Sequence, residues 1–127
     1  MVKQFPFISV IIPHFNDSVR LACCLQQLEN QTYPAERYEI IVVDNGSDVV
    51  PESVISQSLH SRLMVELKPS SYAARNRGIS AAQGEILAFT DSDCLPQLDW
   101  LEKGKNALLQ NENTGLVAGQ VKLLAAN

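Results

Sequence analysis

Ile86-Leu87-Ala88-Phe89-Thr90-Asp91-Ser92-Asp93-Cys94 is the stretch on which the reading of this chain turns. A short apolar run halts at two carboxylates one residue apart. Four of its first five residues gain nothing by facing water, so the run predicts a buried strand. Asp-Ser-Asp then stands at the strand's carboxyl end, the side of an open α/β sheet on which ligands collect. Two acids this close repel each other, which costs stability unless a cation or hydrogen-bond donors neutralise them. Aspartates with little else nearby are hard oxygen ligands, suited to Mg²⁺ or Mn²⁺. The stretch therefore predicts a metal-bound phosphate group at a strand tip.

Working outward, residues 8–12 (Ile-Ser-Val-Ile-Ile) are β-branched and nearly all apolar, and predict a central strand. Pro13 is expected to end it, because proline cannot donate to a sheet ladder. Residues 38–43 predict a second buried strand, with Asp44-Asn45-Gly46-Ser47-Asp48 as the loop at its tip. Residues 63–67 predict a third strand, nearer an edge. Leu21, Leu25 and Leu28 recur at helical spacing, with Asp17 or Ser18 as cap and a fade near Gln31. Residues 51–59 predict a short helix with Pro51 at a tolerated early position. Residues 72–82 predict another, capped by Ser70 or Ser71 and closed by Gly84. Residues 98–110 predict a last helix with Leu98, Leu101, Leu108 and Leu109 inward, before an extended segment at 115–124. Strand and helix alternate throughout. The fold class is α/β, a mostly parallel sheet flanked by helices with right-handed crossovers, and residues 1–127 form a single domain. Three strand tips then lie on one side of the sheet. They bring residues 13–17, 44–47 and 91–93 around one crevice.

The bulk numbers narrow the function. With 127 residues, 46% of them hydrophobic and 19% charged, the chain suits one domain with a real core. A net charge of -4, a pI near 5.0 and no Lys/Arg run exclude a nucleic-acid backbone as partner. A small anionic ligand must then be held by a metal or by local donors. Cys23, Cys24 and Cys94 form no Cys-x-x-Cys pattern, which excludes a zinc cluster or disulfide scaffold and points to reduced structural thiols. No apolar stretch is long enough for a signal peptide or a membrane span. A cytoplasmic protein is expected, any hold on the inner face of a membrane lying in parts beyond this chain.

The candidate residues each have a plain structural reading beside the chemical one. Asp44-Asn45-Gly46-Ser47 has ordinary turn composition. An acid at a strand tip can also accept from a ribose hydroxyl or a base N–H. The absence of Gly-x-Gly-x-x-Gly and of a Walker-type loop argues against nicotinamide, flavin and P-loop chemistry. Arg75 lies near a helix start, placed to face the crevice and meet a diphosphate, while Arg77 reads as a surface charge. His14 is a lone loop histidine with no Ser or Cys partner, which excludes a triad and leaves a structural or ligand-edge role. His60 reads as surface, Trp100 as core packing, and Ser92 and Cys94 as turn and packing residues.

Four segments together resemble the inverting family-2 glycosyltransferases with the GT-A fold. They are Ser9-Val10-Ile11-Ile12-Pro13-His14-Phe15-Asn16, Ile41-Val42-Val43-Asp44-Asn45-Gly46-Ser47, Ala74-Arg75-Asn76-Arg77-Gly78 and Asp91-Ser92-Asp93. They follow the family's order and spacing and cover essentially the whole chain. The resemblance implies a Rossmann-like nucleotide-diphospho-sugar transferase fold, truncated, with a UDP-sugar as the first-choice donor. It implies that Pro13, Phe15 and Asp17 line the nucleoside, although the family often has Glu where Asp17 stands. It implies that Asp44 holds the base edge, that Asp91 contacts ribose or sugar, and that Asp93, with Asp91, binds Mn²⁺ or Mg²⁺ across the diphosphate. His14, Asn45, Arg75 and Ser92 complete the implied donor-contacting set.

The acceptor implied is a saccharide or a lipid-linked group. The family's catalytic base lies beyond the donor half. Asp99, Glu102 and Glu112 fall on or beside a predicted helix, so the base is expected beyond Asn127 and the chain is expected to bind nucleotide without transferring sugar. Two other readings stay open. One is a nucleotide-binding or assembly module without catalysis. The other is an Asp-nucleophile hydrolase of the haloacid dehalogenase kind, which would need the motif on the first strand rather than about the fourth.

Overall fold

The computed structural model describes residues 4–110. Four strands form one sheet: β1 (Ile8–His14), β2 (Tyr38–Asp44), β3 (Ser61–Val65) and β4 (Ile86–Phe89). Their order is β3-β2-β1-β4 and every pairing is parallel. Four helices connect or follow them: α1 (Ser18–Glu29), α2 (Glu52–Ser56), α3 (Ser71–Ala81) and α4 (Trp100–Leu109). A single 3₁₀ turn at Ala35–Arg37 leads into β2. The predicted segment at 115–124 lies outside the described residues.

Alternation along the strands sends two residue sets to two faces. One set, Ile8, Val10, Ile12, Ile40 and Val42, packs against Leu21, Cys24, Leu25 and Leu28 of α1 and Leu101 of α4. Each such fully buried aliphatic side chain stabilises the fold by about 1.5–3 kcal/mol. The other set, Ile41 and Val43, packs against Ala74 of α3. A Cβ at Gly78 would stand 2.6 Å from Ile11 Cγ2, so the missing side chain is what lets α3 lie this close to the sheet. Ser70 starts that helix as foreseen, its Oγ accepting from Ala73 N–H at 3.0 Å.

The order of strands locates the crevice. The chain runs outward from β1 to β2 and β3, then returns to the far side of β1 to place β4. The switch point of this sheet is between β1 and β4, where ligands of open α/β sheets bind.

Several expectations are corrected. Pro13 does not end β1, which continues to His14. Thr90 N–H donates to Ile11 O and Asn45 N–H to His14 O, so odd residues of β1 turn to β4 and even ones to β2. The β4 ladder stops at Ile11↔Phe89, so Pro13 lacks a donor only where no strand asks for one. The β4 run is not buried on both faces: Leu87 is 39% and Phe89 42% exposed, and among the described residues β4 pairs only with β1. An apolar run shows that a strand wants cover, not which residues supply it. The third strand starts at Ser61 and ends at Val65, and the second helix is only five residues long, with Leu59 exposed beyond it. Of the four leucines assigned inward around α4, only Leu101 is buried. Gly84 does not cap α3, which ends at Ala81; its N–H donates to Ser9 Oγ. His60 is partly buried, bonded through Nδ1 to Glu29 and stacked on Tyr38.

Candidate functional site

β1 and β2 are both seven residues long and in register, so their last residues, His14 and Asp44, stand side by side. His14 Nδ1 lies 2.9 Å from Asp44 Oδ1, and neither side chain is exposed. Asp17 N–H donates to His14 Nε2 at 3.1 Å. Since Nε2 accepts, the proton sits on Nδ1 and points at the carboxylate. Ser47 Oγ donates to Asp44 Oδ1 at 2.6 Å, while Ser47 N–H and Gly46 N–H donate to Oδ2 at 2.9 and 3.2 Å. Four donors thus occupy the four acceptor positions of one carboxylate. Burial pushes the Asp44 carboxyl up, but the bonds from Ser47 and His14 outweigh it and hold the group below its ordinary 3.8.

The clasp extends to both flanking loops. Asn16 N–H donates to Ser47 Oγ, and Asp48 N–H donates to Asn16 Oδ1, each at 2.8 Å. Asn16 adopts a left-handed φ of 49°, a conformation asparagine tolerates better than most residues. Asn45 donates to Glu66 O and Lys68 O and accepts from Ser70 N–H, so its amide ties the exit of β3 to the start of α3. Phe15 is left standing out from this rim, 58% exposed. Asp17 precedes α1 without a side-chain cap and pairs instead with Arg20 at 3.6 Å.

The tip of β4 is built differently. The Asp91 side chain is 56% exposed, and Arg75 Nη2 approaches its Oδ1 at 3.4 Å. Cys94 N–H closes the turn onto Asp91 O at 3.1 Å, and the Cys24 thiol donates to the same carbonyl at 3.7 Å. Ser92 is buried inside this turn. Ligand atoms of Asp91, Asp93 and Cys94 lie within 4.8 Å of one another. A cavity of about 120 Å³ opens beside them, lined by Arg75, Phe89, Thr90, Asp91 and Cys94. Burial raises both nearby thiols, Cys24 to about 12 with added push from Cys94, Asp93 and Asp91. Two of the three donor groups are carboxylates, hard oxygen donors that fit a hard divalent cation.

The structure thus gathers Asp91, Asp93, Arg75 and Ser92 at the β4 tip, and His14, Asp44, Asn45 and Asp17 at the β1–β2 tips. The His14–Asp44 pair and the roles of Asn16 and Ser47 escaped the sequence reading. The one signal for them was that His14 and Asp44 each stand at the polar end of a predicted strand. A larger cavity, about 390 Å³, lies at the β3 side of α3 and is lined by Glu66, Lys68, Ser70, Tyr72, Asn76 and Arg77 among others. Among the described residues, no helix is long and apolar enough to cross a membrane.

Comparison with known proteins places these features. A family model described as glycosyl transferase family 2 matches residues 9–123. Glycosyltransferase AglE of Haloferax volcanii is 39% identical over 132 aligned residues, covering 100% of this chain and 43% of that protein. The probable glycosyltransferase YdaM of Bacillus subtilis is 31% identical, over 98% of this chain and 32% of its own length. The chain therefore spans less than half the length of these curated relatives. Among solved structures, S. aureus TarS 1–349 in complex with UDP-GlcNAc superposes with a TM-score of 0.69 at 25% identity, over 82% of this chain and 31% of that one. The mannosyltransferase PcManGT from Pyrobaculum calidifontis, in complex with GDP-Man and Mn²⁺, gives 0.66 at 28% identity, over 72% and 28%.

Proposed function

From the premise that this chain belongs to glycosyl transferase family 2, with the GT-A architecture of its structural neighbours, we propose that it forms the donor-binding side of a sugar transferase. The reaction is metal-dependent transfer of a sugar from a nucleoside-diphosphate sugar to an acceptor hydroxyl, with inversion. The observation that carries the reading is the unsaturated carboxylate pair, Asp91 and Asp93, at the β1–β4 switch point. Asp93 and Asp91 hold Mn²⁺ or Mg²⁺. The ion supplies neutralisation of charge on the departing diphosphate. Arg75, already facing the same cavity, adds a guanidinium for a phosphate oxygen. Phe15 and Pro13 offer an apolar surface to the nucleoside, with Asp17 and Ser92 at its margins. Asp44 and Asn45 shape the rim through the bonds that already occupy them.

UDP-sugars are the first donors to try. TarS in complex with UDP-GlcNAc and PcManGT with GDP-Man and Mn²⁺ support the donor class and the metal. The general base is assigned to no described residue. Glu102 accepts from Thr32 at 2.9 Å and Asp99 pairs with Lys103 at 3.2 Å, so both acids beside α4 are already engaged. Calorimetric titration with UDP-, GDP- and TDP-sugars, with and without Mn²⁺, tests the reading. Binding of at least one donor that strengthens with Mn²⁺ supports it, and no binding to any of them ends it.

A further inference from the structure

We propose that His14 is a positioning residue of the donor site. As the neutral Nδ1–H imidazole it clamps the loop after β1 to the tip of β2, and so presets the rim on which the nucleoside rests. The inference rests on the nucleotide-sugar reading above, and assigns to this chain's histidine a role within it.

Its support is geometric. Both ring nitrogens are committed, to opposite kinds of partner: Nδ1 meets an acceptor, Asp44 Oδ1, and Nε2 meets a donor, the N–H of Asp17. Only one protonation state satisfies both. The ring is buried, with an exposure of 2%, so it does not itself touch a ligand in the crevice. What it holds is the exposed part of the rim. Phe15 and left-handed Asn16 lie between His14 and Asp17, pinned at one end by His14 and in the middle by Ser47. Asp44 in turn holds Gly46 and Ser47. One imidazole therefore fixes two loops relative to each other.

The two partners come from different elements: the Asp44 carboxylate meets Nδ1 from the tip of β2, and the backbone N–H of Asp17 meets Nε2 from the start of α1. A hydrogen on Nε2 would set two donors against each other at Asp17 and release residues 15–17, so the clamp needs Nε2 bare.

The test combines two measurements on the protein in solution. Nitrogen-resolved NMR of the imidazole at about pH 8 reads the tautomer directly. The neutral Nδ1–H form is expected; the Nε2–H form or a charged ring overturns the assignment whatever the ligand does. UDP with Mn²⁺ is then titrated into the wild type, His14→Asn and His14→Gln at about pH 8. Asparagine keeps a donor for Asp44 but offers nothing to Asp17 N–H, and glutamine does the reverse. Thermal melts identify variants that fold, and either one suffices. Each folded variant is expected to bind about tenfold more weakly, the loss of one hydrogen bond. Equal affinity in wild type and variants overturns the role of His14. A wild type that binds no UDP defeats the nucleotide reading instead, and with it this role.

Discussion

Asp44 closes β2 near the middle of the sheet, Asp91 follows β4, the outermost strand beside β1 among the described residues, and the two strand tips treat their carboxylates in opposite ways. Asp44 is fully buried and receives four donors from His14, Gly46 and Ser47. Asp91 is more than half exposed and has one guanidinium at 3.4 Å, with Asp93 close beside it. Register explains the difference. A central strand brings a neighbour's tip alongside its own, and a seven-residue ladder delivers His14 to Asp44. Among the described residues β4 pairs only with β1, and that ladder stops at Phe89, so no strand residue among them stands opposite the acids that follow. The first tip uses its acid to hold two loops together, and the second leaves Asp91 more than half exposed beside Asp93.

Substitutions at the two tips should therefore separate stability from binding. Asp44→Ala leaves the buried Nδ1–H of His14 without its acceptor and removes the anchor of the Ser47 and Gly46 amides. We expect a loss of about 2–3 kcal/mol, read from urea unfolding. A loss under about 1 kcal/mol would mean that the clasp is not formed in solution. Asp93→Ala should leave the same unfolding free energy within about 0.5 kcal/mol while abolishing the Mn²⁺ dependence of nucleotide binding. Were it to unfold the protein instead, the contrast between the tips would collapse.

Acid sharpens the comparison at smaller scale. The folded Asp44 carboxyl lies below its ordinary 3.8, because hydrogen bonds outweigh burial. Its contribution is present in full above the unfolded value and is lost as pH falls through the lower, folded one. Glu29, burial-raised but lowered overall by Ser58 and His60, acts in the same sense. Stability should drop below about pH 4, and Asp44→Asn should flatten that limb only in part, leaving the share of Glu29. An unchanged slope in Asp44→Asn would remove the stabilised carboxylate. The smallest effect is expected at the exposed Arg75–Asp91 pair. Arg75→Ala should change unfolding free energy by less than about 1 kcal/mol, with its larger effect on nucleotide affinity.

Much of this was legible in the sequence. Apolar runs at 8–12, 38–43 and 86–89, separated by helical stripes, gave a parallel α/β sheet, and the acid pair stood at a tip by inspection. The clasp was not legible, because His14 and Asp44 are 30 residues apart and meet only through strand register. Pro13 misled for a related reason: whether a missing N–H matters depends on which neighbour that residue faces. The exposed side of β4 was misread because composition cannot say which residues will cover a strand. Leu98 and Leu109 were misread alike, as apolar residues at helical spacing that remain close to half exposed.

The central claim is that Asp91 and Asp93 hold a divalent cation for a nucleotide diphosphate. Electron paramagnetic resonance of Mn²⁺, titrated with and without UDP, tests it most directly. The account predicts Mn²⁺ immobilised on the wild-type protein in the presence of UDP and free in Asp93→Ala at equal concentrations. Mn²⁺ bound equally by both proteins would contradict it.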